Sequence, residues 1–140
     1  MAKLVLAYNF SEARLPALKL ACMLVKVPLR VVPREQLLQP LGYLAGVPGV
    51  EPVEETYAGE EAREEMLILC GFNRPDLDRL LSAIRKGKLQ SVALKAALTP
   101  TNALWSGVKL QEELAQEHAY MHGKQAPKPK HDSLSGVIYF

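Results

Sequence analysis

The chain has 140 residues, of which 49% are apolar, 6% aromatic and 23% charged, and its formal net charge is +2. These values describe an ordinary folded protein and exclude collagen-like, disulfide-scaffold and highly charged disordered classes. A single domain of this length buries roughly two-thirds of the surface its unfolded chain exposes, so neither disulfides nor a structural metal are needed to hold it.

Lys3 to Phe10 is a continuous apolar run of buried-strand length, followed by Ser11 as a helix cap and by Leu15, Leu18, Cys22 and Val25 at helical spacing. Pro28 stops that helix. Leu29 to Val32 is a second short strand, and Arg34 to Leu44 carries Leu37, Leu38, Leu41 and Leu44 as a second helical stripe. Gly46, Pro48 and Gly49 close this first βαβα half, residues 1–46.

Residues 47–65 form an acidic connector in which Glu51, Glu54, Glu55, Glu60, Glu61, Glu64 and Glu65 are accompanied by one base, Arg63. Outside residues 51–65 there are 16 bases against 8 acids, so the near-neutral total hides a basic body and an acidic strap. The surplus bases are spread along the chain and the nine aromatics are scattered, a pattern that predicts no nucleic-acid partner.

The same grammar returns over residues 66–122: a strand from Met66 to Phe72, a cap at Asn73, a helix with Leu77, Leu80, Leu81 and Ile84, a stop at Gly87, a strand from Ser91 to Leu98 and a long closing helix. A shift of 62 positions lays Phe10 on Phe72, Ser11 on Asn73, Leu15 on Leu77, Leu18 on Leu80 and Cys22 on Ile84. Two βαβα halves predict one α/β domain: a four-stranded parallel sheet, order 2-1-3-4, with helices on both faces. Residues 123–140 are a tail rich in lysine and proline that ends in the apolar Val137, Ile138, Tyr139 and Phe140.

The segment from Leu69-Cys70-Gly71-Phe72 through Lys95 to Thr99-Pro100-Thr101-Asn102, then Trp105 and Glu112 to His118, resembles the bacterial family known as domain of unknown function 3783. The resemblance covers about residues 66–120, and Thr99-Pro100-Thr101-Asn102-x-x-Trp105 is its most specific element. It implies a small bacterial protein or domain and brings no activity, cofactor or catalytic residue with it. Physically, Pro100 extends Thr99, while Thr101, Asn102 and Ser106 can cap backbone amides.

No Gly-rich phosphate loop follows any strand, no serine has a histidine at triad spacing, and no acid ends the first strand. Cys22 and Cys70 read as core thiols. His118 and His122 read as cations at a helix C-terminus, with no third ligand for a metal. No cofactor and no catalytic residue are therefore expected.

The N-terminus lacks the pattern of a signal peptide, and the apolar region Leu15 to Val32 is broken by lysine, arginine and proline, which predicts a cytoplasmic protein with no membrane association. Two functional readings follow. In the first, a non-enzymatic interaction or regulatory domain meets a protein partner or a second copy through Glu54, Glu55, Glu60 and Glu61 and through Val137 to Phe140. In the second, a small molecule or anion occupies a crevice at the carboxyl ends of the strands, lined by Asn9, Ser11, Asn73, Arg74, Thr99, Thr101 and Asn102.

Overall fold

A computed structural model describes residues 2–59 and 63–122, and of residues 117–122 the backbone only. Two apolar strands, β1 (Leu4–Tyr8) and β3 (Met66–Cys70), form the centre of a sheet whose edges are β2 (Leu29–Val32) and β4 (Leu94–Ala97), in the order β2-β1-β3-β4. Both faces are covered by helices. Val5, Ala7, Leu67 and Leu69 point to one side and pack with Leu18, Ala21 and Cys22 of α1 (Leu15–Leu24) and with Leu80 and Ile84 of α3 (Arg74–Lys86). Leu6, Tyr8, Met66, Ile68 and Cys70 point to the other and pack with Leu41 and Leu44 of α2 (Leu41–Ala45) and with Leu110 and Leu114 of α4 (Gly107–His122). A sheet covered on both sides requires strands that are apolar at every position, and β3 is buried throughout.

The expected order is present, but the sheet is mixed. β1 runs parallel to β2 and β3 parallel to β4, whereas β1 and β3 pair antiparallel, with Leu4 opposite Cys70, Leu6 opposite Ile68 and Tyr8 opposite Met66. The purely parallel sheet is thus corrected at its central pair. The reason lies in the connector, which carries the chain back past α2 and delivers β3 beside the end of β1. It is tied down at successive points. The Gln39 side-chain amide exchanges two hydrogen bonds with the backbone of Val53, the Tyr57 amide donates to the Glu35 carbonyl, and Arg34 Nε donates to the Gly59 carbonyl. Beyond it, Asn9 Nδ2 donates to the Glu64 carbonyl, and the Arg14 guanidinium holds both oxygens of the Glu65 carboxylate. Two guanidiniums lie over the Tyr57 ring, Arg34 at 5.4 Å and Arg63 at 5.1 Å from its centroid. Arg63 also donates to Gln111, which is buried on α4.

An antiparallel central pair flanked by two parallel pairs places the halves about a local two-fold axis normal to the sheet. The axis passes where Leu6 faces Ile68, residues separated by the same 62 positions that align the two sequences. Equivalent positions share their environments: Leu18 and Leu80, Cys22 and Ile84, and Val27 and Leu89 are all buried. The residues that end the central strands, Asn9 and Gly71, both adopt positive φ, 67° and 71°. Asparagine and glycine are residues that tolerate that geometry.

The predicted Arg34–Leu44 helix is divided. A 3-10 turn covers Arg34–Gln36, and Pro40, which lacks an amide proton and forces an extended residue before it, opens the short α2. Pro40 forms an isolated bridge with Ser106, and the Leu41 amide donates to the Trp105 carbonyl, so α2 is fastened to the loop that precedes α4.

Both cysteines are free and buried, and burial pushes the Cys22 thiol up to about 11 and the Cys70 thiol to about 12 from an ordinary value near 9. The native protein is therefore expected to resist thiol-disulfide reagents at pH 8, where only on the order of a thousandth of Cys22 and a ten-thousandth of Cys70 is thiolate, and to react at both after unfolding. Because the folded state holds these protons more tightly than the unfolded chain, the contribution of these two thiols to stability is fully present below about pH 9 and is lost as the pH rises above it. Rapid native labelling at pH 8 contradicts the burial.

Candidate functional site

The antiparallel central pair parts the residues expected to line one crevice at the strand ends. β1 and β3 present their carboxyl ends at opposite edges of the sheet, about 13 Å apart along a five-residue strand. Asn9 and Ser11 lie at one edge. Asn73, Arg74, Thr99, Thr101 and Asn102 lie at the other, where the chain leaves β3 and β4 for helices on opposite faces.

Each of these residues has a local partner or a local place. Asn73 caps α3, accepting from the Asp76 amide, and Arg74 lies 3.4 Å from Asp78 one turn along an exposed helix face. The Thr99 amide donates to Asn102 Oδ1, Asn102 Nδ2 donates to the Ala97 carbonyl, and the Asn102 amide donates to Thr99 Oγ1. Asn102 is fully buried, and these bonds turn the chain from β4 toward α4. Thr101 begins the 3-10 turn Asn102–Leu104 without a side-chain cap, whereas Ser106 Oγ accepts from the Lys109 amide at the start of α4. Ser11 is exposed and does not cap α1; its carbonyl accepts the amides of Arg14 and Leu15. Lys95 is on the edge strand β4, its ammonium donating to the Val92 carbonyl, and burial lowers its pKa.

Glu54 and Glu55 are exposed on the connector. Glu60, Glu61 and Val137 to Phe140 lie outside the described residues, as do the side chains of His118 and His122. Among the described residues no three His, Cys, Asp or Glu side chains converge as metal ligands, and no helix is long and apolar enough to cross a membrane.

A different surface stands out, and it begins with the composition of α1. Every residue of Leu15–Leu24 except Lys19 is apolar, more than one buried face can use. Leu18, Ala21 and Cys22 face the sheet, while Leu20, Met23 and Leu24 are 54%, 70% and 67% exposed. With Pro16 they form a stripe at helical spacing on the outer side of the helix.

The second half supplies an internal control. At the positions of α3 equivalent to Pro16, Leu20, Met23 and Leu24 the chain carries Asp78, Ser82, Arg85 and Lys86. The fold therefore builds the same helix in the same layer with a polar outer face, so the apolar stripe on α1 is not a requirement of the architecture.

The stripe borders two depressions. One, of about 670 Å³, lies along α1 and the end of α3 and is lined by Ala17, Leu20 and Leu24 together with Ala83, Lys86 and Lys88. The other, of about 640 Å³, is lined by Leu24, Lys26, Asp78, Arg79, Ser82 and Lys86. Leu24, Ala83 and Lys86 line both. Among the described residues none of Lys19, Lys26, Lys86 and Lys88 has an acidic partner, and all four are exposed. The surface is thus an apolar strip with concave flanks and a basic rim.

This surface was legible in principle. The 62-residue shift aligns core positions, and extending the same comparison to the outer positions sets Leu20, Met23 and Leu24 against Ser82, Arg85 and Lys86.

Residues 65–121 match the family model described as a domain of unknown function (DUF3783), so the resemblance carried by Thr99-Pro100-Thr101-Asn102 and Trp105 extends over the half from β3 to α4. The α1 surface lies outside the matched residues. No curated protein and no solved structure matches the chain.

Proposed function

We propose that this is a non-enzymatic protein-interaction domain of the bacterial cytoplasm that engages its partner through the outer face of α1 and the depressions beside it. One observation carries the reading: Leu20, Met23 and Leu24 are exposed side by side where the equivalent helix of the same molecule carries Ser82, Arg85 and Lys86. A contiguous exposed apolar patch rimmed by charge is a recurring mark of a binding surface. The buried, unpaired thiols of Cys22 and Cys70 support a reducing compartment.

The test is to transplant the α3 surface onto α1. The variant L20S/M23R/L24K keeps every core residue, so its melting temperature should stay within about 3 °C of wild type. Complexes recovered from the host and weighed intact by native mass spectrometry should fall at least roughly tenfold, the effect of losing a few apolar contacts at the centre of an interface. Undiminished complexes with the variant, or a wild-type protein that is always a lone monomer, defeat the proposal.

A further inference from the structure

Resting on that interaction reading, we infer that the partner element is an acidic amphipathic helix, laid along α1 with its apolar side on Leu20, Met23 and Leu24 and its carboxylates against Lys19, Lys26, Lys86 and Lys88.

Shape favours a helix as the occupant. The depressions share Leu24, Ala83 and Lys86 and are lined by residues of two helices that pack on the same sheet face. Side chains spaced three and four apart on an incoming helix match the ridges and grooves of packed helices. Leucine and methionine are adaptable contact residues for this purpose, methionine especially.

Charge sets the sign of the partner. Four exposed lysines surround the strip, and among the described residues none has an acidic neighbour in ion-pair range. Asp78, the one acid lining either depression, is paired with Arg74. An acidic helix neutralises this rim on docking and is steered toward it.

The same lysines argue against the two other occupants of such a strip. A second copy packing α1 against α1 about a two-fold axis brings the two lysine rims together, with like charges opposed across a self-complementary contact. A membrane surface is flat, whereas the apolar strip is flanked by depressions, and the strip has none of the aromatic residues that anchor proteins at a lipid interface.

The full-length chain is titrated into a fluorescein-labelled peptide of about 16 leucine and glutamate residues patterned as one amphipathic helix, long enough to fold on contact. A peptide with lysine replacing every glutamate, and vesicles of phosphatidylserine and phosphatidylcholine, are run in parallel. The acidic peptide should bind saturably and the basic peptide should not. K86E/K88E should weaken the acidic peptide by roughly tenfold or more, and L20S/M23R/L24K should abolish its binding while both variants keep the wild-type melting profile. The inference is overturned if the acidic peptide fails to bind, if K86E/K88E leaves its affinity unchanged, if the vesicles bind and the peptide does not, or if the chain dimerises through this face. If the peptide fails while L20S/M23R/L24K still loses its host complexes, the interaction surface stands and the acidic helix does not.

Discussion

Asn102→Ala is expected to lower the stability of the protein by about 3 kcal/mol, with a fall of about 10 °C in melting temperature. Asn102 is wholly enclosed, and its side-chain amide accepts from the Thr99 amide at 2.8 Å and donates to the Ala97 carbonyl at 2.9 Å. Truncation removes both bonds and leaves two backbone groups without them inside the protein, where an unmet group costs about 1–3 kcal/mol. The damage spreads, because the same loop receives α2: the Leu41 amide donates to the Trp105 carbonyl, and Gly42 lies against Ala103. Asn102→Asp keeps the acceptor but sets a buried carboxylate against the Ala97 carbonyl, so at neutral pH it should be at least as destabilising as alanine. Chemical denaturation monitored by circular dichroism reads all three. A loss below about 1 kcal/mol for the alanine variant would mean that Asn102 does not hold this turn.

Gly107→Ala is expected to destabilise by about 2 kcal/mol or more, against the usual sign for such a change in a helix. A Cβ at position 107 meets Tyr8 Cε2 at 2.6 Å and Cζ at 3.1 Å. Tyr8 stands on a central strand with no exposed surface, so its ring has nowhere to retreat without disturbing β1. Tyr8→Phe should not relieve the effect, since the clash is with a ring carbon and not with the hydroxyl, which has no hydrogen-bond partner among the described residues. Tyr8→Leu removes the offending atoms. The double variant G107A/Y8L should therefore be more stable than the sum of the two single losses predicts. Strict additivity in equilibrium unfolding would show that the two sites do not touch.

How far the sequence could be read depends on which physical signal each feature leaves. The strands and the main helices of both halves are legible because burial on two faces demands uninterrupted apolar runs such as Met66 to Cys70, and burial on one face demands spacings such as Leu77, Leu80 and Ile84. Strand orientation leaves no such signal, since a strand buried on both faces reads alike in parallel and antiparallel pairs. The direction of β3 goes instead with the anchoring of the acidic connector, whose contacts of Gln39 with Val53 and of Arg34 with Gly59 no local pattern announces.

The candidate site divides in the same way. Asn73 and Ser106 were readable as caps because capping is local. Asn9 and Ser11 are parted from Asn73, Arg74, Thr99, Thr101 and Asn102 because that grouping depended on the orientation of the central pair. The α1 surface went unread because an apolar residue in a helix is ordinarily assigned to the core. Only the comparison of Leu20, Met23 and Leu24 with their counterparts on α3 shows that the outer positions differ while the inner ones agree.

The proposed protein-binding role of the outer face of α1 can be probed by placing a photo-crosslinking amino acid at position 23 in one strain of the host and at the equivalent position 85 in another. A discrete heavier adduct of the protein is expected at position 23, absent at position 85 and abolished by L20S/L24K in the same chain. No adduct at position 23, or adducts of equal yield at both positions, would contradict it.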